Sequence, residues 1–382
     1  MTRSAVALLC MAALLCALPA CKSKTKPDKP LALVDFPAKF KPQRAWSTSI
    51  SGGQPKLRLG LAPVVDGKRL YAANGKGEVL ALDATNGKRL WQQQLHATLS
   101  GGPGAGGELV LLGTASGAVI ALNAANGVQR WRTQLNTEIL AAPIVSGQMV
   151  VVRSVDGKLF GLAASDGKQR WVTDQQVPRL SLRGTSTPIV SGEYAIAGFD
   201  NGRLLAVTLG GGTTAWDVAI SQARGSSELQ RLIDIDSPAV ADLDELYVVG
   251  FQGHVARLSR DSGREIWSHE ISSYRGLALD PVGVLVATAE GEVVKLDRAG
   301  GAERWRQKGL LRHPLTRPVV QGTNIVVGDA QGYLHWLNGE NGAFEARVKV
   351  GAPLSAAPLV VGNLLIVQTD KGAIEAWRTG TH

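Results

Sequence analysis

With 382 residues, 45 of them glycine, the chain is long enough for two or more domains, yet its glycine content argues for many tight turns over long helices. A formal charge of +9 would suit nucleic acid or an anionic membrane, but residues 22–44 alone carry +5 of it. The remainder of the chain therefore shows no strongly basic surface in its composition.

Arg3 precedes an apolar run from Ala5 to Leu18, and Leu18-Pro19-Ala20-Cys21 follows. The run is too short to span a bilayer and reads as a signal peptide over residues 1–20. Its end resembles a bacterial lipobox, in which Cys21 is lipidated and begins the mature chain; ordinary cleavage near Ala20 is the alternative. Cys10 and Cys16 leave with the signal, so a disulfide framework, a cysteine nucleophile and a thiolate metal site are excluded. Residues 21–43 form a Pro- and Lys-rich tether, which cannot bury a core and is expected to stay extended. Beside a lipid anchor its lysines favour anionic headgroups, and an exported chain does not meet nucleic acid. Lys22 resembles an outer-membrane sorting address in Gram-negative bacteria, with the protein facing the periplasm.

From Arg44 the chain repeats. Gly77 to Leu95 shows the unit: a glycine, an alternating apolar run, an Asn-Gly turn, and a second run carrying Trp91. The opening glycines are Gly77, Gly117, Gly157, Gly202, Gly253, Gly291, Gly332 and Gly372, spaced 40, 40, 45, 51, 38, 41 and 40 residues apart. Eight openings at this period predict an all-β chain, an eight-bladed β-propeller of four-stranded antiparallel blades over residues 44–382. In the third repeat the strands are expected at 142–145, 149–154, 158–164 and 169–174. Asn-Gly and Asp-Gly pairs favour two-residue type I′ hairpins, and Asp83, Asp166, Asp261 and Asp297 recur beside them. Glycine-rich 101–104 and 210–212 also read as turns, since neither leads into a helix that could cradle phosphate.

Each fourth strand carries a tryptophan at a fixed offset from its turn, at Trp91, Trp131, Trp171, Trp216, Trp267 and Trp305. Recurrence blade after blade points to a buried slot between blades, where the indole N–H finds a partner. The seventh repeat has Ala346 at this place, with Phe344 nearby. The eighth stops after its third strand, at 373–377. Its fourth strand is available at residues 44–50, so pairing the two ends would close the ring and leave no open edge.

The six histidines show no metal-ligand spacing, and GxSxG, HExxH and P-loop patterns are absent. His254 and His335 fall in third strands, where hydrogen-bonded core histidines are the expectation. The repeat, apolar-Asp/Asn-x-x-(x)-Gly-x-x-x-Trp, resembles the pyrroloquinoline-quinone type, which implies a quinoprotein dehydrogenase-like enzyme or cofactor-binding propeller as one reading. Such enzymes carry a vicinal cysteine pair and a calcium site. Here the cysteine pair is impossible, and the paired carboxylates Asp234 and Asp236 have no amide ligand beside them. No cofactor, metal or catalytic residue is therefore assigned.

The longer spacings place insertions after Trp171 and Trp216, reading VTDQQVPRLSLRGTSTPIV and DVAISQARGSSELQRLIDIDSPAV. Both link a fourth strand to the next first strand, so they should be neighbours on one face of the ring. They carry Leu180, Leu182, Arg183, Arg224, Arg231, Asp234 and Asp236, apolar groups ringed by both signs of charge, as a protein-binding patch would be. The alternative is that Leu180, Leu182 and Ile235 pack beneath longer loops. VPRLSLRG, ISQARGSSELQRLIDID, LLRHPLTRPVV and GDAQGYLHWLN are similar to segments of the BamB family of outer-membrane protein assembly factors. The resemblance covers the lipobox and all eight repeats; the basic tether and Ala346 depart from it. It implies a non-enzymatic lipoprotein of the β-barrel assembly machine, docked on the periplasmic POTRA domains of BamA through Leu180, Leu182, Arg183, Asp234 and Asp236. Strand addition at a propeller edge is a mode open in principle to POTRA domains, which are small mixed α/β modules. Unfolded outer-membrane proteins are the second class of partner, and nothing in the sequence selects that mode for them.

Overall fold

The structure, a computed structural model, describes residues 29–52, 60–178, 184–222 and 232–380. No helix forms among them; the strands assemble eight sheets, one per repeat, antiparallel except where the short Gly60–Leu61 adds parallel to Leu99–Gly106. Blade 1 runs from Val64 to Gln94, blade 2 from Leu99 to Gln134, blade 3 from Ile144 to Asp174 and blade 4 from Ile189 to Ala219. Blade 5 covers Val240 to His269, blade 6 Leu277 to Gln307 and blade 7 Val319 to Lys349. Blade 8 takes three strands from Leu359 to Arg378 and its fourth from the other end of the chain, Gln43–Ser49. Ser47 stands opposite Glu375 and Thr48 opposite Ile374, so the two ends close an eight-bladed ring as the repeat count predicts.

First strands lie at one end of each sheet and touch their counterparts in neighbouring blades, so they line the axis. Second and third strands are buried on both faces and read as continuous apolar runs, as in Met149–Arg153 and Lys158–Ala163. Fourth strands are outermost and mostly wet, with burial confined to the tryptophan and a few neighbours. In blade 3 the first strand is Ile144–Ser146, two residues later than expected, because Pro143 has no N–H to offer the ladder.

The tryptophan slot has three parts. A one-residue bulge precedes the indole in the fourth strands that carry one, for example between Gln129 and Trp131, and turns the ring toward the next blade. The indole N–H then donates to a carbonyl of that blade: Trp91 to Ala124 at 3.0 Å, Trp131 to Ala164 at 2.8 Å, Trp171 to Leu209 at 2.8 Å. Above the ring sits the hairpin glycine of the same neighbour. A Cβ on Gly167 would lie 2.5 Å from Trp131 Cε3, and one on Gly127 2.7 Å from Trp91 Cε3. The turn glycines thus serve packing as well as backbone conformation.

Two turn expectations are corrected. The third-to-fourth hairpins are longer than two residues: Gly167 N–H bonds Ala163 O, and only the glycine has positive φ, at 71°, whereas type I′ needs two such residues. The aspartates and asparagines instead cap these loops, as Asp83 does for Thr85 and Asp297 for Ala299. Residues 101–104 lie inside a strand, Leu99–Gly106, not a turn. Their glycines permit close approach of blade 3, since a Cβ on Gly101 would sit 2.6 Å from Ile139 O.

The blade 7 anomaly has a physical origin. Its indole would need the third-to-fourth hairpin of blade 8, and that hairpin is where the chain is cut. Ala346 is fully buried there, and the space is filled by Trp336 from the neighbouring strand, whose N–H bonds Gln321 Oε1 at 2.8 Å. Phe40 packs edge-on against Trp336, with ring centroids 6.2 Å apart. Phe40 belongs to a strap, residues 31–40, that runs along the outer strand of blade 7 before Gln43–Ser49 begins. Phe36 stacks on Phe344 at 5.2 Å, Lys39 pairs with Glu345 at 2.7 Å, and Arg347 donates to Val34 O at 2.9 Å. At the strap's upper end His313 Nε2 donates to Leu31 O at 2.8 Å. Under it, Asp329 accepts from His335 Nε2 at 2.9 Å, and Arg347 Nε donates to His335 Nδ1 at 3.1 Å. His335 is a hydrogen-bonded core residue, whereas His254 lies one residue before its strand and is half-buried.

Candidate docking surface on the link face

The links from each fourth strand to the next first strand share one face with the second-to-third turns. The two inserted links meet there. Ser186 Oγ of the first donates to Ser237 O of the second at 3.0 Å. Gly184 faces Asp236 so closely that a Cβ would lie 2.1 Å from its Oδ1. Leu180, Leu182 and Arg183 fall outside the described residues, as do Arg224, Arg231 and Cys21. Asp236 is partly exposed, but Asp234 is only 1% exposed and lies beneath the surface instead of on it. Ile235 is fully buried against Gly198, so this part of the second link packs down as a longer loop would.

Asp234 is held by Phe251, whose N–H bonds its carbonyl at 2.7 Å. Its carboxylate points into a cluster that the sequence reading missed. Arg153, the last residue of Met149–Arg153, is fully buried and pairs with Asp200 at 2.6 Å. Its guanidinium lies over the Phe199 ring at 4.5 Å. Asp234 makes no side-chain hydrogen bond among the described residues. Burial first, then Asp236 and Asp200, push its pKa up to about 9, against the pull of Arg153. The proton keeps Asp234 neutral near pH 7 and relieves the crowding of acids around one cation. The one signal in the sequence was Arg153 itself, a charge closing the apolar run Met149-Val-Val-Val. Among the described residues no group of three or more side chains is arranged to hold a metal ion.

Comparison with known proteins decides the family. A family profile described as outer membrane protein assembly factor BamB matches residues 41–98, 75–307 and 289–381. The BamB of Pseudomonas aeruginosa is 47% identical over 96% of this chain and 97% of its own. The chain belongs to the BamB family. The Escherichia coli K12 member is 37% identical over 88% of each chain. The crystal structure of BamB from Moraxella catarrhalis superposes with a TM-score of 0.80, at 30% identity, over 88% of this chain and 99% of that one. The quinohemoprotein alcohol dehydrogenase of Comamonas testosteroni has a TM-score of 0.69 at 14% identity, a likeness of fold alone. Membership gives the chain a role in outer membrane protein assembly and associates it with the outer membrane of Gram-negative bacteria.

Proposed function

We propose that the chain is a non-enzymatic scaffold lipoprotein, anchored through Cys21 and facing the periplasm, that docks its link face on the POTRA domains of BamA. The observation that carries this reading is the contact of the two inserted links, Gly184 against Asp236 and Ser186 on Ser237, over the buried Arg153–Asp200 pair. Such a base gives the inserted residues a fixed platform, as a docking patch requires. Leu180 and Leu182 would supply the desolvated centre, and Arg183 with Asp236 the register and orientation. Asp234 would act from below, by positioning its link.

The test is a titration of purified BamA POTRA domains against wild type and Arg183→Glu. Charge reversal in a desolvated patch should weaken binding by about 2–5 kcal/mol. Lys168→Glu lies in an exposed hairpin on the opposite face and should bind like wild type. Equal affinity of wild type and Arg183→Glu would move the docking site elsewhere on the ring. For the anchor, Cys21→Ser should release the protein from detergent-free washed outer membranes in cells lacking the partner; retention there sinks the lipobox reading.

A further inference from the structure

The first strands contact one another around the axis, and the residue two places before each of them lies at the end of a link, on the link side of the ring. In blades 1, 3 and 8 that residue is alanine: Ala62, Ala142 and Ala357 precede Val64–Asp66, Ile144–Ser146 and Leu359–Val361 by two. Blades 6 and 7 differ. There the same place is held by Arg275, before Leu277–Leu279, and Arg317, before Val319–Gln321. Neighbouring blades thus put two cations at the link ends of a ring whose other such positions are small or uncharged.

Arg275 is engaged, with its guanidinium 4.9 Å from the Tyr274 ring and a further partner besides. Arg317 is not. Its stem crosses blade 6 toward blade 5: a Cβ on Gly276 would lie 3.3 Å from Arg317 Cδ and 2.8 Å from Ser237 Cβ. Gly276 is the space that lets the side chain pass. The Arg317 side chain makes no hydrogen bond, ion pair or ring contact among the described residues, and burial alone draws its guanidinium below the usual arginine range. Arg317 is only partly exposed, so its guanidinium is set in a largely desolvated place with no protein acceptor, where a bound anion would gain more than in open water. Its five N–H donors form a fork whose geometry fits an oxygen anion. Among the described residues no strand pairs with the axial edges of Leu277–Leu279 and Val319–Gln321, which leaves their outward backbone N–H groups available beside the two arginines.

We propose that the axial end of these two links is an oxyanion-binding site, with Arg317 as the principal donor and Arg275 as flanking charge. The ligand is a carboxylate or phosphate-like group small enough to enter beside Gly276. A free small molecule and an acidic side chain of a protein on this face present the same chemistry.

The experiment uses the purified full chain in detergent, with citrate as probe at low ionic strength and chloride matched for ionic strength. Citrate should raise the melting temperature of wild type saturably, since a ligand that binds only the folded state stabilises it. Arg317→Gln should lose that rise, Arg317→Lys should keep part of it, and Arg264→Gln, an exposed hairpin arginine, should keep all of it. Without citrate Arg317→Gln should melt at or above wild type. Equal citrate shifts in wild type and Arg317→Gln overturn the proposal, as does a non-saturating rise in both, which is general salting-out. If Arg317→Gln does not fold, modification of wild type with phenylglyoxal replaces it. Protection of Arg317 by citrate, read by mass spectrometry, supports the site; equal modification with and without citrate overturns it. Competition between citrate and bound BamA POTRA domains assigns the natural oxyanion to the protein partner, and simultaneous binding assigns it to a small molecule.

Discussion

At Asp234 a raised pKa becomes a stability statement with a definite sign. The carboxyl titrates near 3.8 in an unfolded chain and near 9 in the fold. Below both values each state is protonated and the contribution is complete. As pH rises between them, the unfolded chain sheds the proton and the folded one retains it, so stability falls toward pH 9. Asp234→Asn should flatten that slope, seen as urea midpoints that converge between about pH 5 and about pH 8. An unchanged slope would mean that Asp234 is not the group responsible. Gly184→Ala probes the platform differently. The new methyl group displaces the end of a flexible Asp236 side chain, so stability should move by under about 1 kcal/mol while POTRA affinity drops. Asp234 and Asp236 were legible in the sequence because they sit in an insertion that breaks the repeat. The burial of Asp234 was not, because Arg153 and Asp200 come from blades 3 and 4 and meet only when those two blades pack together.

The recurring element is the interlock of one blade's indole with the next blade's hairpin glycine, and it makes a paired prediction. Gly167→Ala adds a methyl group into Trp131 at a positive φ, and should cost about 2–4 kcal/mol from overpacking and backbone strain together. Gly147→Ala meets nothing within 4 Å and carries only the conformational penalty, about 1 kcal/mol. Equal losses in urea denaturation would argue against the interlock. This element could be read ahead, since a tryptophan at a fixed offset is a local and repeated signal. The strap could not, because a Pro- and Lys-rich composition names no docking place. Its upper end rests on His313, which is hydrogen-bonded to the same Asp329 as His335. Burial holds the His335 pKa below its ordinary value. The stability this gives is present above about pH 6.5 and is lost as pH falls through the lower, folded value. Acidification should therefore loosen the strap first, read as faster exchange of the Leu31 amide, which bonds Leu311 O at 3.0 Å, relative to strands of blade 2.

For the whole molecule, closure rests on Gln43–Ser49. Removing it exposes the edge of Ala373–Arg378 and takes away Trp46, whose N–H bonds Ala84 O at 3.2 Å. Stability should fall by several kcal/mol, and an unchanged melting temperature would argue against the closed ring. The two ends of the propeller meet in blade 8 where every other blade has a hairpin: a Cβ on Gly380 would lie 2.4 Å from Lys41 O. Where the ring is opened is thus a choice of seam, not of architecture. A circular permutant that joins Gly380 to Lys41 through a short linker, with new termini opened between Ala163 and Gln169, should rebuild the same ring. In that molecule the seam moves to blade 3, a hairpin becomes available beside blade 7, and Ala346 is left as the mark of where the older cut had been.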